Sequence, residues 1–291
     1  MAKAKFRIVA IISAYNEEDV IYQVIGDLVQ QNIEVYLIDN RSKDRTVEEA
    51  SRWLGRGLIG FETFPPEIGS DQESERFVWT DILKRKEQLA LELGADWYIH
   101  HDADEFRESP FPLVSLYSGI KLADFFGFNA IDFALLNFRP TNNDFTKEDD
   151  VRKQLVSFDW GADFDSLQIK SWKNSGNPVD LTTHGGHSVL FPHRRIFPLK
   201  FVLRHYPIRS QLHGMEKVLN NRKMRFVEEE RCKGWHLQYD SIDEEYDFLY
   251  KPENLHKYHP VFTRLQILWF RLVNGVRMLF RYLSESLSGH H

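Results

Sequence analysis

The feature that most constrains the fold is a continuous apolar run at residues 6–14, F-R-I-V-A-I-I-S-A, rich in β-branched residues. A strand that reads apolar without alternation is typical of a parallel sheet, in which helices cover both faces. A second run of this kind follows at residues 34–39, E-V-Y-L-I-D, after a segment long enough for a helix. Parallel strands are usually joined by such a helix. The chain therefore begins as a strand–helix–strand unit.

Strand and helix alternate in this way through the first 106 residues. We predict strands at 6–14, 34–39, 58–62 and 97–101, and helices at 16–31, 46–54 and 77–93. This alternation predicts an α/β domain with a doubly wound parallel sheet. In such sheets, ligands bind at the carboxyl ends of the strands.

The second half of the chain has shorter apolar runs separated by turn residues. We predict strands at 130–138, 167–172, 187–191 and 200–206, a long loop at 141–166 and a basic helix at about 210–224. Short strands of this kind indicate a mixed or antiparallel extension of the sheet. We expect one domain over residues 1–240 and a C-terminal helical extension over residues 241–291.

Composition narrows the possible functions. The formal net charge of -6 disfavours a nucleic-acid-binding protein, which needs a dominant basic surface. The single cysteine, Cys232, cannot form an internal disulfide, which fits a reducing cytosol. No stretch of about 18 uncharged apolar residues occurs, so we expect no membrane-spanning helix. The apolar run near the N-terminus is too short for a signal peptide. These observations favour a cytoplasmic location.

A last helix is predicted over residues 260–284, apolar on most of its circumference and interrupted by arginines at 264, 271, 277 and 281. Two interpretations stay open. The helix would pack on the domain or on a second subunit as a homodimer contact, or it would lie on the inner face of a membrane with its arginines near anionic lipids.

Polar clusters follow three of the predicted buried strands, at residues 15–17, 39–41 and 102–104. Because the carboxyl ends of parallel strands meet at one edge of the sheet, these clusters should converge. Asp102 and Asp104 are two residues apart, and side chains at that spacing in a strand point to the same side. Both carboxylates would then face one Mg²⁺ or Mn²⁺ ion, since these ions prefer oxygen ligands.

Residues 201–210, F-V-L-R-H-Y-P-I-R-S, and 213–218, H-G-M-E-K-V, resemble a bacterial subgroup of the inverting family 2 glycosyltransferases, and three earlier segments together resemble the family as a whole. The earlier segments are I-I-S-A-Y-N-E-E at 11–18, L-I-D-N-R-S-K-D-R-T at 37–46 and H-D-A-D-E-F at 101–106. Their order and spacing match the family over about residues 6–140. Two departures are Ser13, where many members have proline, and Asn40-Arg41, where many have Asp-Gly.

The resemblance implies a GT-A fold, a Rossmann-like mixed sheet flanked by helices. It also implies a nucleoside-diphosphate-sugar donor, with UDP favoured, a glycan or glycolipid acceptor, and Mn²⁺ or Mg²⁺ as cofactor. The pathway would be cell-envelope polysaccharide or glycolipid synthesis. By this resemblance Asp104 would bind the metal directly, and Asp102 would lie by both the metal and the ribose.

The resemblance also assigns residues to the donor nucleotide. Ala14, Tyr15 and Glu17 would line the base and ribose, Asp39 would accept a hydrogen bond from the base, and Arg85 would lie near the diphosphate. Each assignment has a structural alternative. Asp39 would otherwise cap a turn, and Arg85 would lie on a solvated helix face.

A histidine after a late strand supplies a third metal ligand in many GT-A enzymes, and His205 is the candidate here. A neutral imidazole suits Mn²⁺ better than Mg²⁺. The alternative is a core histidine bonded to the backbone. Arg209 and Lys217 would offset charge on the leaving group, or they would be ordinary residues of a surface helix.

The acceptor hydroxyl needs a base to remove its proton. The family's usual Glu-Asp pair has no clear match here. Asp180 and His187, around the T-H-G-G-H turn, lie at a suitable position along the chain, with Asp163 and Asp165 as alternatives; a structural turn role is the competing interpretation for each.

Two other functional classes remain to be separated from a transferase. One is a non-catalytic sugar-nucleotide-binding or scaffold protein, which would keep the fold without metal dependence. The other is a sugar nucleotidyltransferase, which usually carries an early glycine-rich loop. Residues 11–20 contain no glycine, which disfavours that class.

Overall fold

A computed structural model of the chain describes residues 5–66, 78–161, 167–222 and 240–272. Within these ranges one mixed sheet contains ten strands. They are β1 (Ile8–Ala14), β2 (Glu34–Asp39), β3 (Leu58–Thr63), β4 (Trp97–Asp102), β5 (Glu105–Glu108), β6 (Ala130–Phe138), β7 (Ser157–Trp160), β8 (Ile169–Lys173), β9 (Phe201–His205) and β10 (His256–Lys257). The helices are α1 (Ile21–Gln30), α2 (Thr46–Ser51), α3 (Trp79–Glu92), α4 (Leu116–Phe125), α5 (Val151–Gln154) and α6 (Gln211–Met215).

The sheet is parallel on one side, with neighbouring strands in the order β3-β2-β1-β4. In this register Ala14 lies opposite Asp39, and Ser13 lies opposite Asp102. The carboxyl ends of β1, β2 and β4 are therefore level, and the polar residues that follow them start from one edge. The predicted mixed sheet flanked by helices is confirmed.

Side chains of β1 alternate between the two faces of the sheet and enter two separate cores. Ala10 and Ile12 pack with apolar residues of α1 and α4, whereas Val9 and Ile11 pack with apolar residues of α3. All four are almost completely buried. Burial on both faces is what the uninterrupted apolar sequence of this strand predicts.

The other side of the sheet is largely antiparallel. Strand β8 pairs antiparallel with both β4 and β6, and β6 also pairs with β7. The second half of β6 runs parallel to β9, which in turn pairs antiparallel with β5. This last pairing places His205 opposite Glu105, the residue after Asp104. The end of β9 is thereby brought to the carboxyl end of β4.

Helix α1 begins at Ile21, later than the predicted start at residue 16. Side chains of the turn after β2 hold the intervening residues: the N–H of Asn16 donates to Ser42 Oγ at 3.0 Å, and the N–H of Glu17 donates to Thr46 Oγ1 at 2.8 Å. Asn16 also has a left-handed backbone, with φ of +52°. Side-chain acceptors that compete for backbone N–H groups delay the helix.

Several predictions for the second half were wrong. The predicted loop at 141–166 contains α5 and β7, with Asp150 capping α5 by accepting a hydrogen bond from the N–H of Arg152. The predicted strand at 187–191 contributes only isolated bridges, at Ser188 and Leu190. The predicted helix at 210–224 is divided into α6 and a π-helical segment, Glu216–Arg222. Lys223 lies outside the described residues.

The described part of the predicted C-terminal extension starts with irregular structure. Strand β10 adds to the sheet beside β7, and residues 262–272 are helical. Two arginines of this helix point toward the sheet, where Arg264 pairs with Glu108 and Arg271 Nη1 lies 3.3 Å from Asp132 Oδ2. The domain boundary near residue 240 stays a prediction.

The other side of residues 262–272 is apolar and exposed. The side chains of Phe262 and Trp269 are each 65% exposed, and Leu265, Phe270 and Leu272 are at least half exposed. Among the residues that the structure describes, no helix has the length and apolar character needed to cross a membrane. The two sequence-based interpretations of this helix, a subunit contact or a membrane contact, both stay predictions.

A chain that ends at residue 258 should associate with vesicles or with itself less than the full chain, while its nucleotide binding changes little. The reason is that truncation removes the exposed apolar face and leaves Glu108 its contacts with Arg204 and Tyr258. Sedimentation velocity measures self-association, and vesicle co-sedimentation measures membrane binding. The full-length variant Trp269→Ser changes the apolar face without shortening the chain, so it separates the loss of that face from general damage by truncation. Unchanged sedimentation and vesicle binding would contradict the prediction.

Candidate active site

The loop after β1 begins the candidate site. The backbone of residues 16–18 is held by the turn after β2, and the side chain of Glu17 is directed into the protein, where the residue is only 3% exposed. Two cations from distant parts of the chain hold its carboxylate: Arg209 Nη2 lies 2.7 Å from Oε2, and Lys217 Nζ lies 2.6 Å from Oε1. In the structure, the carboxylate of Glu17 contacts these two cations. Its role beside the ribose stays a prediction.

Asp104 lies in the turn that joins β4 to β5, with 4% of the residue exposed. Its Oδ2 is 2.9 Å from Lys217 Nζ, and its Oδ1 is 3.6 Å from His205 Nε2. The backbone N–H of Tyr206 donates to its carbonyl oxygen at 2.9 Å, which fixes the turn to the end of β9. One lysine thus joins the carboxylates of Asp104 and Glu17.

His205 has the orientation of a metal ligand. Its Nδ1 lies 2.9 Å from Asn137 Oδ1, a side-chain carbonyl that accepts hydrogen bonds, so Nδ1 carries the proton. The Nε2 lone pair then faces Asp104 Oδ1, and two acceptors at 3.6 Å favour a cation or a proton between them. A hydrogen bond that fixes the tautomer from the far side of the ring is usual for metal-binding histidines. Asp104 and His205 therefore fit the two ends of a divalent-cation site.

Asp102 contacts a different cation, and its predicted place beside the metal and the ribose stays a prediction. It is the last residue of β4, and the chain turns at residues 103 and 104, so the strand spacing that would put both carboxylates on one side does not apply. Its Oδ2 lies 3.1 Å from Lys170 Nζ, which also contacts Glu105 at 2.8 Å. Burial raises the pKa of Asp102, but Lys170, His100 and Lys86 outweigh it and hold that pKa well below its usual range.

Sequence reasoning missed the buried lysines under this turn. Lys170 and Lys86 are 5% and 0% exposed, and Lys86 Nζ donates to the carbonyl of His101 at 2.8 Å. Burial lowers the pKa of Lys86 to about 7. A lysine among the apolar residues of a strand or helix face could have indicated a buried ion pair, because lysine is rarely buried without an acidic partner.

Arg209 is completely buried and joins the loop after β1 to α6. Its guanidinium group contacts Glu17, both carboxylate oxygens of Asp19, and His213 Nε2 at 2.7 Å. Ligand-type atoms of Glu17, Asp19 and His213 lie within 4.8 Å of one another, an arrangement that is compatible with a metal ion. The guanidinium group already contacts all three residues, so the geometry favours a positioning role for Arg209 over contact with a leaving group.

Asp39 lies at the level end of β2 and is 3% exposed. Its carboxylate accepts from the N–H of Ser42 at 3.2–3.3 Å, which stabilises the turn, while burial raises its pKa. Ala14 is 4% exposed and lies opposite it in the register. Tyr15 follows at the same edge. The predicted base-binding residues therefore share one location, and their contact with a nucleotide stays a prediction.

Arg85 lies on α3 and is held by carboxylates outside this group. Its guanidinium contacts Glu62 of β3 at 2.7 Å and Glu92 at 2.9 Å. These ion pairs agree with the alternative in which Arg85 stabilises the surface of the helix. Its predicted place near a diphosphate stays a prediction.

The two base candidates have different surroundings. Asp180 accepts hydrogen bonds from the N–H groups of Thr182 and Thr183 at 2.8 and 3.0 Å, which makes it the organiser of its own turn. His187 Nδ1 lies 3.1 Å from Gln168 Nε2, and burial followed by the charge of Lys170 lowers its pKa to about 4.

His187 is therefore neutral at pH 7 and close enough to the acidic turn to be affected by its charges. Asp163 and Asp165 lie outside the described residues.

The comparisons with known proteins agree with the sequence resemblance. Residues 9–61 match the family described as Glycosyl transferase family 2. This segment contains β1, β2 and the two polar turns that hold Glu17 and Asp39. Over this segment the chain matches glycosyl transferase family 2, the family that the sequence motifs resemble. No curated protein sequence matches the chain.

Solved structures of S. aureus TarS are among those similar to this chain. The crystal structure of TarS has 12% identity and a TM-score of 0.40, covering 78% of this chain and 41% of TarS. TarS 1–349 in complex with UDP has 11% identity and a TM-score of 0.41, covering 78% and 68%. The complex with UDP-GlcNAc has 12% identity and a TM-score of 0.38, covering 72% and 61%. The chain thus spans about two fifths of TarS.

Gly186→Ala should lower the free energy of unfolding more than Gly176→Ala. Both glycines have left-handed backbones, with φ of +86° and +74°, so they share a strain of about 1–2 kcal/mol on substitution. A Cβ at 186 would also lie 2.9 Å from His100 Nε2 and 3.2 Å from Leu83, whereas 176 has open space. Overpacking adds about 1–3 kcal/mol. Urea unfolding measures the difference, and equal losses would contradict this account.

The pH dependence of stability should reveal the buried Lys86. Its pKa is about 7 in the folded state and about 10.4 in the unfolded chain, so between these values the unfolded chain binds more protons. Stability of the natural chain should therefore rise relative to Lys86→Met from pH 7 to 10, by at most about 1.4 kcal/mol per pH unit. Urea unfolding measures the free energy of unfolding of both proteins at each pH, and the difference between them removes the contribution of the other titratable groups. Parallel pH profiles would show that Lys86 stays charged in the folded protein.

Proposed function

We propose that the chain is an inverting glycosyltransferase that transfers a sugar from a nucleoside-diphosphate donor to a hydroxyl of a glycan or glycolipid. UDP is the favoured nucleotide, and the cofactor is Mn²⁺ or Mg²⁺. The proposed setting is polysaccharide or glycolipid synthesis in the cytoplasm, at the inner face of the membrane. The family match over residues 9–61 supports the reaction class, and the geometry around Asp104 supports the roles given to individual residues.

The observation that carries the proposal is the meeting of Asp104, His205, Glu17 and Lys217 at one sheet edge. These residues come from the ends of β1, β4 and β9 and from the π-helical segment, yet their side-chain nitrogen and oxygen atoms lie within 2.6–3.6 Å of a neighbour. Carboxylate, imidazole and ammonium groups together are suited to a substrate with two phosphates and one cation.

Charge determines the chemistry at this edge. When the bond between the sugar C1 and the diphosphate breaks, negative charge builds on the phosphate oxygen, and positive charge builds on the sugar ring. A divalent cation held by Asp104 and His205 would supply positive charge to the leaving diphosphate. Lys217 adds a protein cation at the same place, 2.9 Å from Asp104.

His187 is the proposed base for the acceptor hydroxyl. Burial lowers its pKa to about 4, so the ring is neutral, and Nδ1, which lies 3.1 Å from the amide Nε2 of Gln168, is the nitrogen with the lone pair. The acceptor hydroxyl would replace that amide and give its proton to Nδ1. Attack by the activated hydroxyl on the face opposite the leaving diphosphate inverts the anomeric centre. Asp180 would act indirectly, since its carboxylate holds the turn before His187.

The nucleotide would lie across the ends of β1 and β2. Ala14, Tyr15 and Asp39 begin from that edge, and Asp39 offers a buried carboxylate to the base. Asp102 would contact the ribose only after exchanging part of its contact with Lys170.

The proposal predicts that Mn²⁺ with one nucleoside diphosphate raises the melting temperature of the chain, whereas neither alone does so to the same extent. A thermal-shift panel of UDP, GDP, CDP and ADP, with and without Mn²⁺, measures this. Stabilisation by a nucleotide without any metal dependence would favour a sugar-nucleotide-binding scaffold. Turnover of the corresponding sugar donor with an acceptor then distinguishes a transferase from a binding protein.

Asp104→Asn should remove the metal-dependent part of this shift and abolish transfer, because the substituted amide keeps the size and loses the charge of the carboxylate. Asp144→Asn, a change at an exposed position, is the matched control and should retain both properties. Circular dichroism confirms that each variant folds. Undiminished turnover in a folded Asp104→Asn variant would remove this residue from the mechanism.

A further inference from the structure

Lys217 occupies a position in which its charge competes with a metal ion. The residue is 5% exposed, and its ammonium group lies 2.6 Å from Glu17 Oε1 and 2.9 Å from Asp104 Oδ2. The other oxygen of Asp104 is the one that faces His205 Nε2. The same carboxylate is therefore shared between a protein cation and the candidate metal position.

A divalent ion bound by Asp104 and His205 would lie within a few ångströms of this ammonium group. Two cations at that separation repel strongly in a site from which water is largely excluded. In the described part of the chain, the carboxylates in contact with this ammonium group are Asp104 and Glu17, and Glu17 also pairs with Arg209. A bare metal ion and Lys217 thus cannot both keep full contact with Asp104.

A bound diphosphate removes this conflict, because its phosphate oxygens add negative charge beside the metal ion. The ammonium group would then have a new acceptor close to its present position. Lys217 lies in the π-helical segment Glu216–Arg222, and π-helical geometry often marks functional positions in helices.

We propose that Lys217 is an exchangeable cation: it pairs with Asp104 in the metal-free protein and transfers to a phosphate oxygen when metal and nucleotide bind together. This inference rests on the proposed function. The exchange predicts that Lys217 has opposite effects on the affinity for the metal ion and on the affinity for the nucleotide. Lys217 weakens the binding of a bare divalent ion and strengthens the binding of nucleoside diphosphate in the presence of that ion, so the two ligands bind with positive coupling.

The test measures Mn²⁺ binding to the full chain by electron paramagnetic resonance, without nucleotide. Lys217→Met should bind Mn²⁺ roughly tenfold more tightly than the natural chain, while its UDP affinity in saturating Mn²⁺ falls by roughly tenfold. Lys217→Arg keeps the charge and should keep the weak Mn²⁺ binding. Unchanged or weaker Mn²⁺ binding in a folded Lys217→Met variant would overturn the proposal.

A measurement on the natural chain avoids any folding defect of the variant. Acetylation of lysines, read by mass spectrometry, should label Lys217 slowly in the metal-free protein, faster with Mn²⁺ alone and slowly again with Mn²⁺ and UDP. The exposed Lys153 is the internal reference and should not change. A labelling rate of Lys217 that ignores Mn²⁺ would overturn the exchange.

The measurements distinguish the exchange of Lys217 from the transferase function. Transfer activity with no effect of Lys217→Met on Mn²⁺ binding would refute the exchange and leave the transferase intact. Tighter Mn²⁺ binding in Lys217→Met, with no nucleotide bound by either protein, would support competition at Asp104 and refute the transferase.

Discussion

The contact on which the candidate site depends is the ammonium group of Lys217 held between two buried carboxylates, Glu17 and Asp104. Taking charges out of water is costly, and a buried pair is retained only when its geometry and its further hydrogen bonds compensate. Here each carboxylate has a second partner, since Arg209 contacts Glu17 and His205 faces Asp104. Removal of any one cation from such a cluster leaves an uncompensated buried charge, which commonly costs about 3–5 kcal/mol.

The same contacts explain how segments far apart in the chain form one site. Glu17 and Arg209 are separated by 192 positions, and Asp104 and Lys217 by 113. The sheet makes these contacts possible, because β9 lies parallel to β6 and antiparallel to β5, so its last residue reaches the turn after β4. The parallel strands β1, β2 and β4 supply the acidic side of the site, and the segment after β9 supplies the basic side.

The sequence was sufficient to predict the parallel half of the fold. The bounds of β2 agree with the prediction, and β1 and β4 differ by one or two residues, because uninterrupted apolar runs specify strands buried on both faces. The level ends of these strands were also predicted. The start of α1 was not, since the competing bonds of Ser42 and Thr46 come from another turn. Strand β7 was missed because its pattern is short and only half buried.

The composition of the site was harder to predict than its location. Residue spacing suggested that Asp102 and Asp104 act together, but the chain turns at residues 103 and 104, and each aspartate pairs with a different lysine. Lys170 and Lys217 each neutralise one of them, and nothing in the local sequence links either lysine to an aspartate 68 or 113 positions away. Pairings at such separations depend on sheet topology, which a local pattern does not encode.

The different partners of these two aspartates have a consequence for the chemistry. Asp102 is fixed by Lys170, and its pKa is held well below its usual range, so it stays a paired anion that contributes to the field of the site. The two oxygens of Asp104 instead face different partners, because Oδ2 lies 2.9 Å from Lys217 Nζ and Oδ1 lies 3.6 Å from His205 Nε2. A divalent ion bound between Asp104 Oδ1 and His205 would therefore lie in the field of a second, ion-paired carboxylate. The acidic turn combines one aspartate that sets the local charge with one that faces a candidate metal ligand.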